Sequence, residues 1–161
     1  RTGLKYNQWL DHFKHGAGVM KHQRQLKLDY TLTTPGLMEI KNMVLLAEEL
    51  NVELLTKVTF AFDPTILLSP MALPRNTLNE IVDEALDWLH PRVTPLTQSC
   101  FDVLTNMKNR PTFEEQWGDW AEKEMPIGKK RLQELDNIRG GNDMEYILAH
   151  DKRLLEWWNN L

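Results

Sequence analysis

Leu26-Lys27-Leu28-Asp29-Tyr30-Thr31-Leu32-Thr33 is the stretch on which the fold turns. Leu26, Leu28, Tyr30 and Leu32 alternate with Lys27, Asp29, Thr31 and Thr33. A period of two places the apolar set on one face of a strand and the polar set on the other. Pro35-Gly36 breaks the run. Next, Ile40, Met43, Val44, Ala47 and Leu50 recur at helical spacing up to Asn51, a residue that tolerates a left-handed cap. A second alternating segment follows over residues 53–62, with Leu54, Val58, Phe60 and Phe62 against Leu55, Lys57, Thr59, Ala61 and Asp63, and it stops at Asp63-Pro64. Strand, helix and strand with short joints predict a βαβ unit whose strands are parallel. Two strands alone leave unpaired edges and an exposed face, so more sheet is expected from elsewhere.

Working outward, Tyr6, Trp9, Leu10, Phe13, Ala17 and Met20 predict an amphipathic helix over about residues 4–20, and Lys21 to Gln25 read as a connector. Beyond the apolar, proline-studded loop from Pro64 to Pro74 the chain reads as helical. Thr77 and Glu80 have capping-box spacing, and Pro91 ends that helix. Leu96, Cys100, Val103, Leu104 and Met107 mark the next, and Thr112 and Glu115 repeat the capping-box spacing before Phe113, Trp117 and Trp120. Pro126 suits the first turn of a further helix, and Asp143 is placed to cap a last one containing Ile147, Leu154, Trp158 and Leu161. The division expected is residues 1–74 for the strands and their helices and residues 75–161 for a helical region.

The chain has 161 residues with Lys+Arg 19 against Asp+Glu 23, a net charge of −4 that gives no electrostatic reason for nucleic-acid binding. No apolar run approaches the roughly 20 residues of a membrane helix. One cysteine, Cys100, excludes an intramolecular disulfide and a cysteine-ligated metal or iron–sulfur site built wholly from this chain. Cytoplasmic location is the expectation. The chain opens at Arg1 before Thr2-Gly3, so a processed or partial chain is expected.

The order of several features resembles the carboxy-terminal half of radical S-adenosylmethionine (SAM) proteins of the twitch-domain type. They are Arg1-Thr2-Gly3 before Tyr6-Asn7-Gln8-Trp9, a strand ending in Thr31-Leu32-Thr33-Thr34, Asp63-Pro64 followed by Leu67-Leu68-Ser69-Pro70-Met71-Ala72-Leu73-Pro74, and late Asp136, Ile138, Arg139 and Gly140. The resemblance implies an α/β fold, an incomplete parallel barrel of partial TIM type containing the βαβ unit, followed by a mostly helical carboxy-terminal region. It implies SAM and a four-iron cluster in a parent enzyme that abstracts hydrogen through a 5′-deoxyadenosyl radical. The cluster loop of that family is absent, so none of these cofactors is expected to bind this chain alone, and a cluster-bearing amino-terminal half or a second copy is the implied partner. A peptide or small molecule is the implied substrate.

In such a barrel Lys27, Asp29, Thr31, Thr33, Lys57, Thr59 and Asp63 would line a wet lumen, because polar strand faces are costly to bury dry. Barrel sites gather at the carboxy ends of strands. The candidate cofactor-binding set is therefore Thr31, Thr33, Ala61 and Asp63, joined by Arg1, whose guanidinium suits a carboxylate clamp. The competing reading is a face simply turned to solvent. His12 and His15 share a helix face but read as a solvated pair, and no metal site is expected. Asp136 and Arg139 read as structural, and Cys100 as a small core residue. Of the six tryptophans, the consecutive Trp157 and Trp158 cannot both face one way, so one is expected to touch a neighbour. The alternative function is a non-catalytic module that binds another protein through its helical tail.

Overall fold

The computed structural model describes residues 5–21, 26–59, 66–141 and 143–161. Helix α1 spans Tyr6–Val19, strand β1 Lys27–Leu32, α2 Ile40–Leu50 and β2 Glu53–Val58. Then come α3 at Arg75–Leu89, α4 at Gln98–Lys108, α5 at Phe113–Trp117, α6 at Asp119–Arg139, α7 at Asp143–Leu148 and α8 at Lys152–Asn160. The strands pair in parallel, with Leu28 beside Leu54 and Tyr30 beside Thr56. Asn51 adopts the left-handed conformation (φ 52°) that ends α2, and the chain turns directly into β2.

The expected partial barrel is not formed. Among the described residues the chain is mostly helical and holds one sheet of two strands. The physical reason lies at the outer edge of β2. There the Leu54 N–H donates to the Leu96 carbonyl (2.8 Å), and the Thr56 N–H donates to Ser99 Oγ (3.0 Å). The entry to α4 thus takes the hydrogen bonds that another barrel strand would need. Helices also cover the apolar face of the sheet. Leu28, Tyr30, Leu32 and Leu54 belong to a single buried cluster with Val44 of α2, Leu78 and Val82 of α3, Leu104 of α4, Leu132 of α6 and Trp158 of α8. That cluster runs across position 74. The connection from 66 to 74 contributes Ile66, Leu67, Met71 and Leu73 to it, tied to the end of β1 by the Thr34 hydroxyl donating to the Leu67 carbonyl (2.9 Å).

Several local expectations are corrected. Strand β2 is assigned to Val58, and residues 60–62 of the expected strand lie outside the described residues. Helix α3 starts at Arg75 with Pro74 before it, so Thr77 and Glu80 fall inside the helix rather than at its cap. Pro126 does not open a helix, because α6 runs through it unbroken from Asp119. The tail is two helices, α7 and α8, the second capped by Asp151, whose carboxylate accepts the Arg153 N–H (2.8 Å). Trp157 and Trp158 are both buried, and both belong to the core cluster of this chain. Arg153 fastens α8 to α3, pairing with both carboxylate oxygens of Glu84 at 2.7 and 3.0 Å.

The capping box at Thr112 and Glu115 forms as expected. Glu115 accepts the Thr112 N–H (2.8 Å) and pairs with Arg75, which also donates to the carbonyls of Lys108 and Arg110. The Arg75 guanidinium and, after it, the Thr112 N–H hold the Glu115 carboxyl down at about 2, against an ordinary value of 4.5. A depressed carboxylate contributes stability that is present above its unfolded value and lost as pH falls through its folded one. Melting temperature is therefore expected to fall between about pH 4.5 and pH 2, with a flatter profile in Glu115→Gln; thermal melts across that range check it. No helix among the described residues is long and apolar enough to cross a membrane.

Candidate functional site

The polar face of the sheet is turned to solvent. Lys27, Asp29, Thr31, Leu55 and Lys57 are exposed, and the face is laced by Lys27–Glu53 (2.7 Å) and Lys57–Asp29 (2.8 Å) ion pairs. Exposed pairs of this kind are worth under about 1 kcal/mol each. Arg1, Ala61 and Asp63 of the expected cofactor set lie outside the described residues. Thr31 and Thr33 stand together at the carboxy end of β1, where they border a groove of about 580 Å³ between Tyr6 and Leu10 of α1, the turn at Gly36 and Met43 of α2.

That end of the groove is rigid. Thr33 Oγ accepts the Gly36 N–H (3.0 Å), and the Tyr30 hydroxyl donates to the Gly36 carbonyl. Burial is the main cause that pushes the Tyr30 phenol above its ordinary range, so it stays a neutral donor. A Cβ at Gly36 would lie 3.0 Å from Thr33 Oγ and 3.5 Å from the Tyr30 hydroxyl, so the turn has little room for a side chain.

The main chain of β1 matters more than its side chains. Leu54 and Thr56 turn their N–H groups away from β1, so Leu55, Lys57 and Thr59 turn theirs towards it, and the Thr59 N–H reaches the Leu32 carbonyl (3.1 Å). In a parallel ladder these directions alternate. Leu28, Tyr30 and Leu32 therefore spend their amides on β2, while Lys27, Asp29 and Thr31 point theirs outward. Among the described residues no hydrogen bond satisfies that outward row. Beside it, α1 contributes no fully buried residue, and its apolar stripe of Trp9, Phe13, Ala17 and Met20 is only half covered. A free strand edge thus runs beside a half-covered apolar helix.

A second groove, of about 690 Å³, opens at the opposite end of the chain between Pro74, α5, α6 and α8. Sequence reasoning did not find it. The signals were Pro126 within α6 and Gly118, whose φ of 46° turns the chain between α5 and α6.

The remaining candidates resolve into structure. Asp136 is buried, and its carboxylate accepts the Met144 N–H (3.1 Å), tying the end of α6 to α7, while Arg139 is exposed. Cys100 is buried, and that burial raises its thiol to about 11. His12 and His15 are exposed, and no group of three potential metal ligands occurs among the described residues. Comparisons with family models, with curated proteins and with solved structures return no match.

Proposed function

We propose that this chain is a protein-interaction module that works by accepting an extended polypeptide segment of a partner protein as a third strand along the outer edge of β1. One observation supports this reading above others: the outward amides and carbonyls of Lys27, Asp29 and Thr31 have no partner among the described residues. Such a row gives an incoming strand affinity through main-chain hydrogen bonds, and the flanking surfaces give specificity. Here the flanking surfaces are unlike. One side is the half-covered stripe of α1, and the other is the charged face with Lys27, Asp29 and Lys57. The partner segment that fits therefore alternates apolar and polar residues. Under this reading the compartment is the cytoplasm, in keeping with a core that holds Cys100 as a free thiol.

Peptide display tests it. Random eight-residue peptides are selected on the chain, and the best binder is titrated against the chain and against Thr31→Pro, which removes one outward amide. The expected result is an alternating consensus whose binding drops at least tenfold in the variant. Binders indifferent to Thr31→Pro would refute strand addition. A dimer by sedimentation that the same substitution dissociates would instead identify a second copy as the occupant.

A second reading is favoured by Thr31 and Thr33 lying at the carboxy end of a parallel strand beside a groove. It makes the chain the substrate-side part of a radical SAM enzyme, with the cluster-bearing half supplying the added strand. The described residues do not fit a four-iron cluster, since the single cysteine is buried, so the cluster would be held elsewhere. SAM cleavage and iron content of the chain joined to its strand donor distinguish this reading from the first.

A further inference from the structure

The free edge of β1 and the groove at its carboxy end meet at Thr31. That residue is the last of the outward row, and it borders the groove together with Tyr30, with Tyr6 and Leu10 of α1, and with Met43 and Leu46 of α2. Neighbouring strands carry their side chains to the same two faces at the same level. Leu28, Tyr30 and Leu32 send theirs to the buried face, where Val44 of α2 joins the same cluster. A strand laid along the outer edge therefore turns every second side chain to that face. The one level with Tyr30 and Thr31 enters the groove.

Helix α1 points apolar side chains in two directions, and the core uses only one of them. Trp9, Phe13, Ala17 and Met20 pack against the buried cluster. Tyr6 and Leu10, one turn apart on the helix, stand outside that packing and line the groove instead. Leu10 is half-buried and Tyr6 is 60% exposed. The charges of the groove are already matched. Of its two carboxylates, Glu39 accepts from the Asn42 side-chain amide (2.9 Å) and Glu49 pairs with Lys14 (2.8 Å). Among the described residues no lysine, arginine or histidine lines it, so nothing there calls for a charged occupant.

We propose that this groove is the anchor pocket for the added strand and takes one aromatic side chain of the partner segment. The groove, at about 580 Å³, offers more room than a small aliphatic side chain fills. The flexible thioether of Met43 adapts to a ring and makes favourable contact with it, and the Tyr6 ring offers an aromatic pair. The inference rests on strand addition at β1 and adds to it the residue that the partner must carry: an aromatic one, at an inward-facing position of an alternating segment.

The probe is acetyl-Lys-Thr-Val-Thr-Phe-Thr-Val-Thr-Lys-amide, titrated into the methyl-labelled chain beside the same peptide with alanine for phenylalanine. The phenylalanine peptide should bind at least tenfold tighter, the order expected for burying one such side chain, with methyl shifts at Leu10, Met43 and Leu46. Leu10→Asp should weaken the phenylalanine peptide at least tenfold and the alanine peptide less than twofold. Helix α1 has no fully buried residue, so this variant keeps the core, and the peptide-side substitution leaves the chain untouched. Equal affinity of the two peptides, or an equal loss of both in Leu10→Asp, overturns the anchor pocket. Thr31→Pro separates the two readings. If it weakens both peptides at least tenfold while they bind equally well, strand addition stands and the anchor pocket falls. If it weakens neither, or if neither peptide binds, strand addition falls and the anchor pocket with it.

Discussion

Trp158→Ala is expected to be the most destabilising single substitution in the chain, costing about 3–5 kcal/mol of unfolding free energy. Trp158 is fully buried in α8 and heads the largest enclosed side chains of the core. Its removal leaves a cavity in the single buried cluster to which α3, α6 and the 66–74 connection also contribute. The Lys129 ammonium, which lies 5.4 Å from the indole centroid, also loses its aromatic partner, although its hydrogen bond to the Trp158 carbonyl (2.6 Å) survives. A loss of this size takes much of the roughly 5–15 kcal/mol that holds a domain together. Trp158→Phe is the informative companion. The indole Nε1 is buried without a hydrogen-bond partner, so phenylalanine removes a polar group that contributes nothing and gives back part of the cost of its smaller volume. Urea unfolding of the two variants should show alanine losing at least twice as much as phenylalanine.

Proline substitution along β1 is expected to divide sharply by position. Tyr30→Pro removes an amide that bonds β2 and empties a buried position, and it should cost at least about 3 kcal/mol or abolish folding. Thr31→Pro, one residue on, removes an amide that points outward and a side chain that is exposed. Proline is tolerated on strand edges where the lost N–H faces solvent. The expected loss is about 1 kcal/mol or less, with the far-ultraviolet circular dichroism retained. Similar losses from the two would mean that the outer edge of β1 is not free.

The alternation in Leu26–Thr33 and the stripe of α2 made the βαβ unit legible, because strand and helix periods are read directly from side-chain chemistry. What those periods do not contain is what covers a strand edge. The barrel expectation failed there, because Leu96 and Ser99, which close β2, carry no signature that marks them as partners of a sheet. Pro126 misled for a related reason. In isolation it reads as a helix start, yet α6 keeps its course with Ala121, Met125 and Leu132 buried on either side of it, and that packing outweighs one lost hydrogen bond. The Thr77 spacing was outcompeted by Pro74, whose fixed φ starts α3 earlier, whereas Thr112 follows a proline and had the cap position to itself.

Of the candidate site, Thr31 and Thr33 lie at the carboxy end of β1, and the main-chain row beside them was not foreseen. Side-chain alternation says that successive residues differ in direction. Only the register with β2 says which set turns its amides outward. The second groove, at Pro74 and α6, was equally hidden, since its residues come from segments more than 80 positions apart, from Ala72 to Asn160.

Native-state amide hydrogen exchange of β1 tests the free edge most directly. The amides of Leu28, Tyr30 and Leu32 should exchange slowly, and those of Asp29 and Thr31 should exchange orders of magnitude faster, close to the rate of an open chain. Equal protection at all five would show that another segment already occupies the edge, and strand addition there would have to be given up.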